Sequence, residues 1–330
     1  VLVPSRGRTD EKPARMHHLL LSLLFLIPLS VAALALPASE GDLGDIDFPN
    51  SGSPEAQPHF QQGVLLLHSF EYKDARREFL KAQEMDAGFA LACWGEAMTY
   101  NHPLWRQQDK EKARAALLKL GETQEQRLEK AATEREKAYL RALDELYCED
   151  EKPLCDWRYS IAMQRLSAAY PDDLEAAAFH ALSLLGTAQG ERNFWTYMRA
   201  AAIGEEVFAR NPRHPGAAHY LIHSYDEPIH APLGLRAARV YAEIAPGAPH
   251  ALHMPSHIFL ALGRWQESVD SNTASAQAAL DTVSKAGIRA VLNFAPIQLR
   301  APNGVRINSV DLAIEMEGLC YFLKRETPSA

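Results

Sequence analysis

Residues 214–265 read HPGAAHYLIHSYDEPIHAPLGLRAARVYAEIAPGAPHALHMPSHIFLALGRW, from His214 to Trp265, and their spacing decides the fold. The stretch holds two copies of His-x-x-x-His, at His219/His223 and His253/His257. Each histidine of the second copy lies 34 residues beyond its counterpart in the first. That period belongs to helix-turn-helix units that stack into an array. The two pairs are therefore expected at equivalent places on neighbouring helices.

The pattern extends outward in both directions. HFQQGVLLLHSFEYKDARREFLKAQEMDAGFALACWGEAM, His59 to Met98, places Gly63, Ala75, Phe79 and Ala82 where small and aromatic residues let two helices approach. Pro171, Pro212 and Pro246 stand where second helices should end, because proline cannot continue a helix. Residues 107–120 and 123–147 carry alternating charge and are expected as surface helices. GRWQESVDSNTASAQAAL, ending at Leu280, should close the array as a weakly packed terminal repeat.

On these residues, about 57–283 resemble the tetratricopeptide-repeat family, and HPGAAHYLIH and HMPSHIF are similar to a histidine-bearing bacterial subgroup of it. The resemblance implies an all-α, helical-repeat solenoid over residues 58–283, used as a scaffold whose concave groove binds a protein or peptide. It also implies that His219, His223, His253 and His257, at the fifth and ninth positions of first helices, line that groove.

Histidines four residues apart share one helix face, and stacked helices lie about 8–10 Å apart, so four imidazoles can converge on one ion. Zinc, copper or nickel suits nitrogen donors. His214, His230, His250, Asp226 and Glu227 lie near enough in sequence to support such ligands. Pro255 falls inside the second pair. Either the helix starts near Pro249 and kinks, or it starts at Pro255 and leaves His253 on the approach. The competing readings are a hydrogen-bond ladder to Tyr220 and Tyr225, or direct peptide contact. As an enzyme, the site would keep one coordination position open for water, with Asp226 or Glu227 as proton acceptor. No H-E-x-x-H or G-x-S-x-G motif occurs. His59, His68, His102 and His180 have no spacing that ties them to the pairs, and the five tryptophans are expected in the core.

A formal net charge of -8 argues against nucleic acid as a partner. Cys148 and Cys155 could close a small loop in an oxidising compartment, or stay as two thiols near helix ends. Residues 1–38 read as a leader and signal peptide, with an apolar run from Leu19 to Leu36 and small residues at Ala33 to Ala38. Left uncleaved, that run would be the sole membrane attachment; cleaved, it implies a periplasmic or extracellular protein. Residues 39–57 read as a flexible linker.

Residues 284–330 differ in character. KAGIRAVLNFAPIQLRAPNGVRINSVDLAIEMEGLCYFLKR, Lys285 to Arg325, has β-branched runs at Ile288–Phe294 and Val305–Val310, then a helical segment at Asp311–Lys324. This α/β-like tail closely resembles the C-terminal end of the redox-sensing repressor family Rex, with its AVLNFAP-like strand, VDL turn and final helix. No G-x-G-x-x-G turn is present. The tail reads as a fused fragment without an assigned function; redox sensing linked to DNA would require it to bind a dinucleotide.

Overall fold

The computed structural model describes residues 42–188, 192–294 and 297–310. The expected signal segment and the Asp311–Lys324 helix lie outside them. No helix among the described residues is long and apolar enough to cross a membrane.

The chain is mostly helical. A hairpin of α1 (Gln57–His68) and α2 (Tyr72–Met85) is followed by α3 (Ala90–Met98), α4 (Lys110–Leu118), α5 (Gln124–Glu129) and α6 (Glu134–Leu146). Then come α7 (Lys152–Ala169), α8 (Leu174–Thr187), α9 (Phe194–Arg210), α10 (Pro215–Tyr225) and α11 (Ala231–Ile244). The last helices are α12 (Pro249–His253), α13 (Pro255–Ala261) and α14 (Trp265–Lys285). Successive helices pack on each other from α6 through α11, and Pro171, Pro212 and Pro246 each stand two residues past a helix end. Yet α1 also packs against α10, and α8 against α10. An open solenoid confines contacts to adjacent repeats, so these contacts depart from the expected solenoid and bring α10 onto α1 and α8.

Several local expectations are revised. Residues 123–147 form two helices, because Thr133 opens α6 with a capping box to Glu136. Tyr139, Leu140 and Leu143 of α6 are buried, so it is a core helix rather than a surface one. Residues 42–56, expected within a flexible linker, are packed: Leu43 and Phe48 are buried, and the Asp45 amide donates to the Arg213 carbonyl at 3.0 Å. Leu43, Phe48 and Ala56, with Ile46 packed beside them, anchor an otherwise acidic segment. Cys148 and Cys155 are joined as a disulfide between α6 and α7, with Cα atoms 5.7 Å apart.

An antiparallel pair, β1 (Asn101–His102) with β2 (Gln107–Gln108), brackets a short 3-10 turn at Pro103–Trp105. In the tail, β3 (Ala290–Asn293) runs parallel to β4 (Arg306–Ser309), in register Ala290 to Arg306, where the β-branched runs place strands. Of the tryptophans only Trp94 is in the core. Trp105, Trp157, Trp195 and Trp265 are 49–74% exposed: Trp105 sits in the short 3-10 turn, Trp195 and Trp265 in the opening turns of α9 and α14, and Trp157 on the outer face of α7.

The core around Trp94 is aromatic. Its ring meets Phe48, Tyr139 and Phe179 edge-on with centroids 5.7, 5.4 and 5.2 Å away. Beside it, Phe79 lies fully buried between Gly63 and Gly95. A β-carbon at Gly95 would stand 2.3 Å from the Phe79 ring. Alanine normally favours a helix interior by up to about 1 kcal/mol over glycine. The overlap opposes that gain, so Gly95→Ala is expected to lower the unfolding free energy by about 1–3 kcal/mol in a urea titration. A neutral or stabilising result would show that the Phe79 ring can move.

Candidate metal centre

The turn joining α1 to α2 supplies the frame. At its start, the last carbonyls of α1 have no partner within the helix. The His68 carbonyl accepts from Nδ1 of His219 on α10 at 2.7 Å. A carbonyl can only accept, so the His219 proton is on Nδ1 and Nε2 presents a lone pair. Phe70, with φ of +57°, turns its ring under three imidazoles: centroids lie 4.2 Å from His219, 5.9 Å from His223 and 5.6 Å from His250. A left-handed phenylalanine costs on the order of 1–3 kcal/mol, which the packing must offset. Glu71 then accepts from the His250 amide at 3.2 Å, holding the first turn of α12.

On this frame, Nε2 of His219 lies 3.1 Å from Nε2 of His223 and 3.1 Å from Nε2 of His250. The donor nitrogens of these three residues all stand within 4.8 Å of one another. His219 is fully buried, whereas His223 and His250 are partly buried. Burial chiefly, and then the neighbouring imidazoles, hold His219 and His223 well below the ordinary histidine value. The same causes, with His253 and His257 as the neighbours, bring His250 down to about 4. Neutral imidazoles are the form that ligates a metal.

The second expected pair lies alongside. Helix α12 starts at Pro249 and breaks at Met254–Pro255, so the chain takes the early-start, kinked course. Nε2 of His253 and Nε2 of His257 face each other at 3.1 Å. Nδ1 of His257 contacts Asp226 at 2.8 Å, and Nδ1 of His253 contacts the Asn272 side-chain oxygen at 2.7 Å. Ring centroids of His223 and His257 are 6.3 Å apart, and those of His250 and His253 6.0 Å. Five imidazoles thus form a closed circuit. The four histidines grouped from sequence divide, with His219 and His223 joining His250 and with His253 and His257 forming a neighbouring pair.

His250 is the member of this cluster that sequence spacing undervalued. His250, His253 and His257 stand at i, i+3 and i+7, a one-face stripe on a helix, and that signal was available. Glu227 and His230 pair with each other, away from the circuit.

A second cluster was missed altogether. His68, Glu175 and His214 are fully buried, with His68 Nε2 donating to Glu175 at 2.6 Å and His214 Nε2 at 3.0 Å. His214 caps α10, its Nδ1 accepting the Ala217 amide at 3.1 Å, and His68 Nδ1 meets the Tyr220 hydroxyl at 2.8 Å. Every imidazole nitrogen is engaged, so this triad reads as a clamp joining α1, α8 and α10. Burial alone would raise the Glu175 carboxyl, but the two imidazoles outweigh it and bring it to about 2. Burial lowers His68, against the pull of Glu175, so we take the carboxylate as charged and His68 as a neutral donor.

The fold and site define a helical protein with clustered, neutral imidazoles. No family model matches the chain. Over 51 residues it is 49% identical to the redox-sensing transcriptional repressor Rex of Geobacillus kaustophilus, covering 16% of this chain and 24% of that protein. The Rex of Shouchella clausii is 45% identical over 51 residues, with the same coverage. The Rex of Bacillus subtilis is 44% identical over 50 residues, 15% of this chain and 23% of the relative. The chain therefore spans about a quarter of the length of these curated relatives. This corrects the partner expected from charge. A net charge of -8 describes the whole chain, and the similarity to proteins named as transcriptional repressors removes the ground for setting nucleic acid aside in favour of a groove-bound peptide.

Proposed function

We propose that this protein is a transition-metal-binding helical-repeat protein of tetratricopeptide type, with His219, His223 and His250 as ligands. The observation that carries the reading is the meeting of three Nε2 atoms, 3.1 Å from His219 to each partner, on a residue whose Nδ1 is tied to the His68 carbonyl. Metal-bound histidines commonly have the second nitrogen fixed in this way. With metal–nitrogen bonds of about 2.0–2.1 Å, ligand nitrogens stand about 3.3 Å apart around a tetrahedron and about 2.9 Å apart around an octahedron. The two separations from His219, 3.1 Å each, fall between these values, and the His223 and His250 donors stand within 4.8 Å of each other. Three protein ligands leave a position for water or a small molecule, which supports metal-dependent chemistry over a closed structural ion. The Cys148–Cys155 bridge supports export to an oxidising compartment.

Purified as the full chain without a histidine tag, the protein is expected to retain at least one equivalent of zinc, copper or nickel by plasma mass spectrometry. A His219→Ala/His250→Ala double variant should lose that equivalent. Absence of metal from the parent, even after incubation with each ion, would overturn the reading.

A second reading rests on the tail, whose similarity to repressors supports a regulatory role involving DNA. Titration of a labelled mixed-sequence duplex with the full chain, read by anisotropy at low and moderate salt, tests it. No change at micromolar protein would remove it.

A further inference from the structure

We infer that the circuit of five histidines holds two metal ions, the second on His253 and His257. This rests on the proposed centre at His219, His223 and His250 and extends it. The argument begins with the hydrogens. The Asn272 amide nitrogen donates to the Ser268 carbonyl at 2.9 Å, which leaves its oxygen to face His253. That oxygen can only accept, so the proton of His253 is on Nδ1. The Asp226 carboxylate likewise fixes the proton of His257 on Nδ1, at 2.8 Å.

Two neutral imidazoles so oriented turn bare lone pairs toward each other, and here the two Nε2 atoms are 3.1 Å apart. Facing lone pairs repel unless a cation lies between or beside them. A metal ion resolves the contact for both nitrogens, and a carboxylate behind His257 increases the basicity of that ligand. The pair is partly buried, His257 reaching Asp226 at the end of α10 and His253 reaching Asn272 on α14, so solvent can complete the coordination of an ion held by two protein nitrogens. Neither Asp226 nor Asn272 is a ligand in this arrangement; both position the rings.

The competing resolution is a single shared proton, and a third is one ion shared by all five rings. Metal counting separates them. The full, untagged chain is stripped with a chelator, loaded with zinc alone, desalted and assayed for bound zinc, with circular dichroism to verify folding of each variant. Two equivalents are expected in the parent, and one in His253→Ala/His257→Ala. Asp226→Asn, which keeps size and both ligands, should weaken only the second equivalent, by about 10–100-fold in a competition titration with a chromophoric chelator. One equivalent in the parent that survives His253→Ala/His257→Ala would overturn the second ion and leave the first centre standing. One equivalent that is lost in either double variant would also overturn it, in favour of a shared ion. No zinc in any form of the protein would instead remove the metal reading on which this inference rests.

Discussion

Glu175→Ala is expected to lower the unfolding free energy by on the order of 3–5 kcal/mol, the range for breaking a buried charged hydrogen-bond network by removing one partner. The carboxylate is fully buried and accepts from two imidazoles that are themselves fully buried, so alanine leaves two N–H donors without an acceptor. Glu175→Gln should fall between, since its amide offers one acceptor oxygen but turns an N–H toward the other donor. Urea unfolding of the three proteins decides the matter. A loss below about 1 kcal/mol for alanine would mean that the clamp contributes packing alone, because a typical net hydrogen bond is worth about that much.

Acid is expected to destabilise the metal-free protein well before its carboxylates titrate. Burial lowers His180 to about 4, with Arg199 contributing, and its Nε2 has no hydrogen-bond partner. His68 is lowered too, chiefly by burial. The ordinary histidine value is about 6.5, so between about pH 6.5 and 4 the unfolded chain binds protons that the native chain refuses. Stability is then full above about pH 6.5 and declines as pH falls toward 4. For His180 the change amounts to on the order of 3 kcal/mol. Glu175 adds a later loss of the same sign, from its unfolded value near 4.5 down to about 2. Chemical unfolding at intervals from pH 7.5 to 4 would show this as a steady decline in midpoint. A flat profile above pH 5 would mean that the buried histidines take up protons without opening the fold.

Much of this architecture was legible from residue spacing. The 34-residue interval between histidine pairs, the prolines after helices and the small residues around Phe79 report local geometry, which a linear sequence records directly. The β-branched tail segments likewise gave strands where the structure has β3 and β4. What the sequence concealed was contact at long range. Nothing in the spacing of His68, Glu175 and His214 relates them, because they share no helix and their meeting depends on α1 docking against α10. The same docking buries His219, which a repeat-based reading placed on an open groove. His250 is a different case: its i, i+3, i+7 relation to His253 and His257 is visible in the sequence, but Pro255 breaks the helix within that stripe, so spacing alone does not fix which rings meet.

The hydrogen bond from His219 to the His68 carbonyl spans 151 residues. Its consequence lies in the order of folding events. Helices α10 and α12 are local in sequence, but the His219 ring is aimed only after this long loop has closed, and closure of distant contacts is the slow part of folding. A chain still lacking its docked first helix would hold loosely oriented imidazoles. The proposed centre would thus tie ion capture to completed topology, with α1 completing the site only once it has docked on α10.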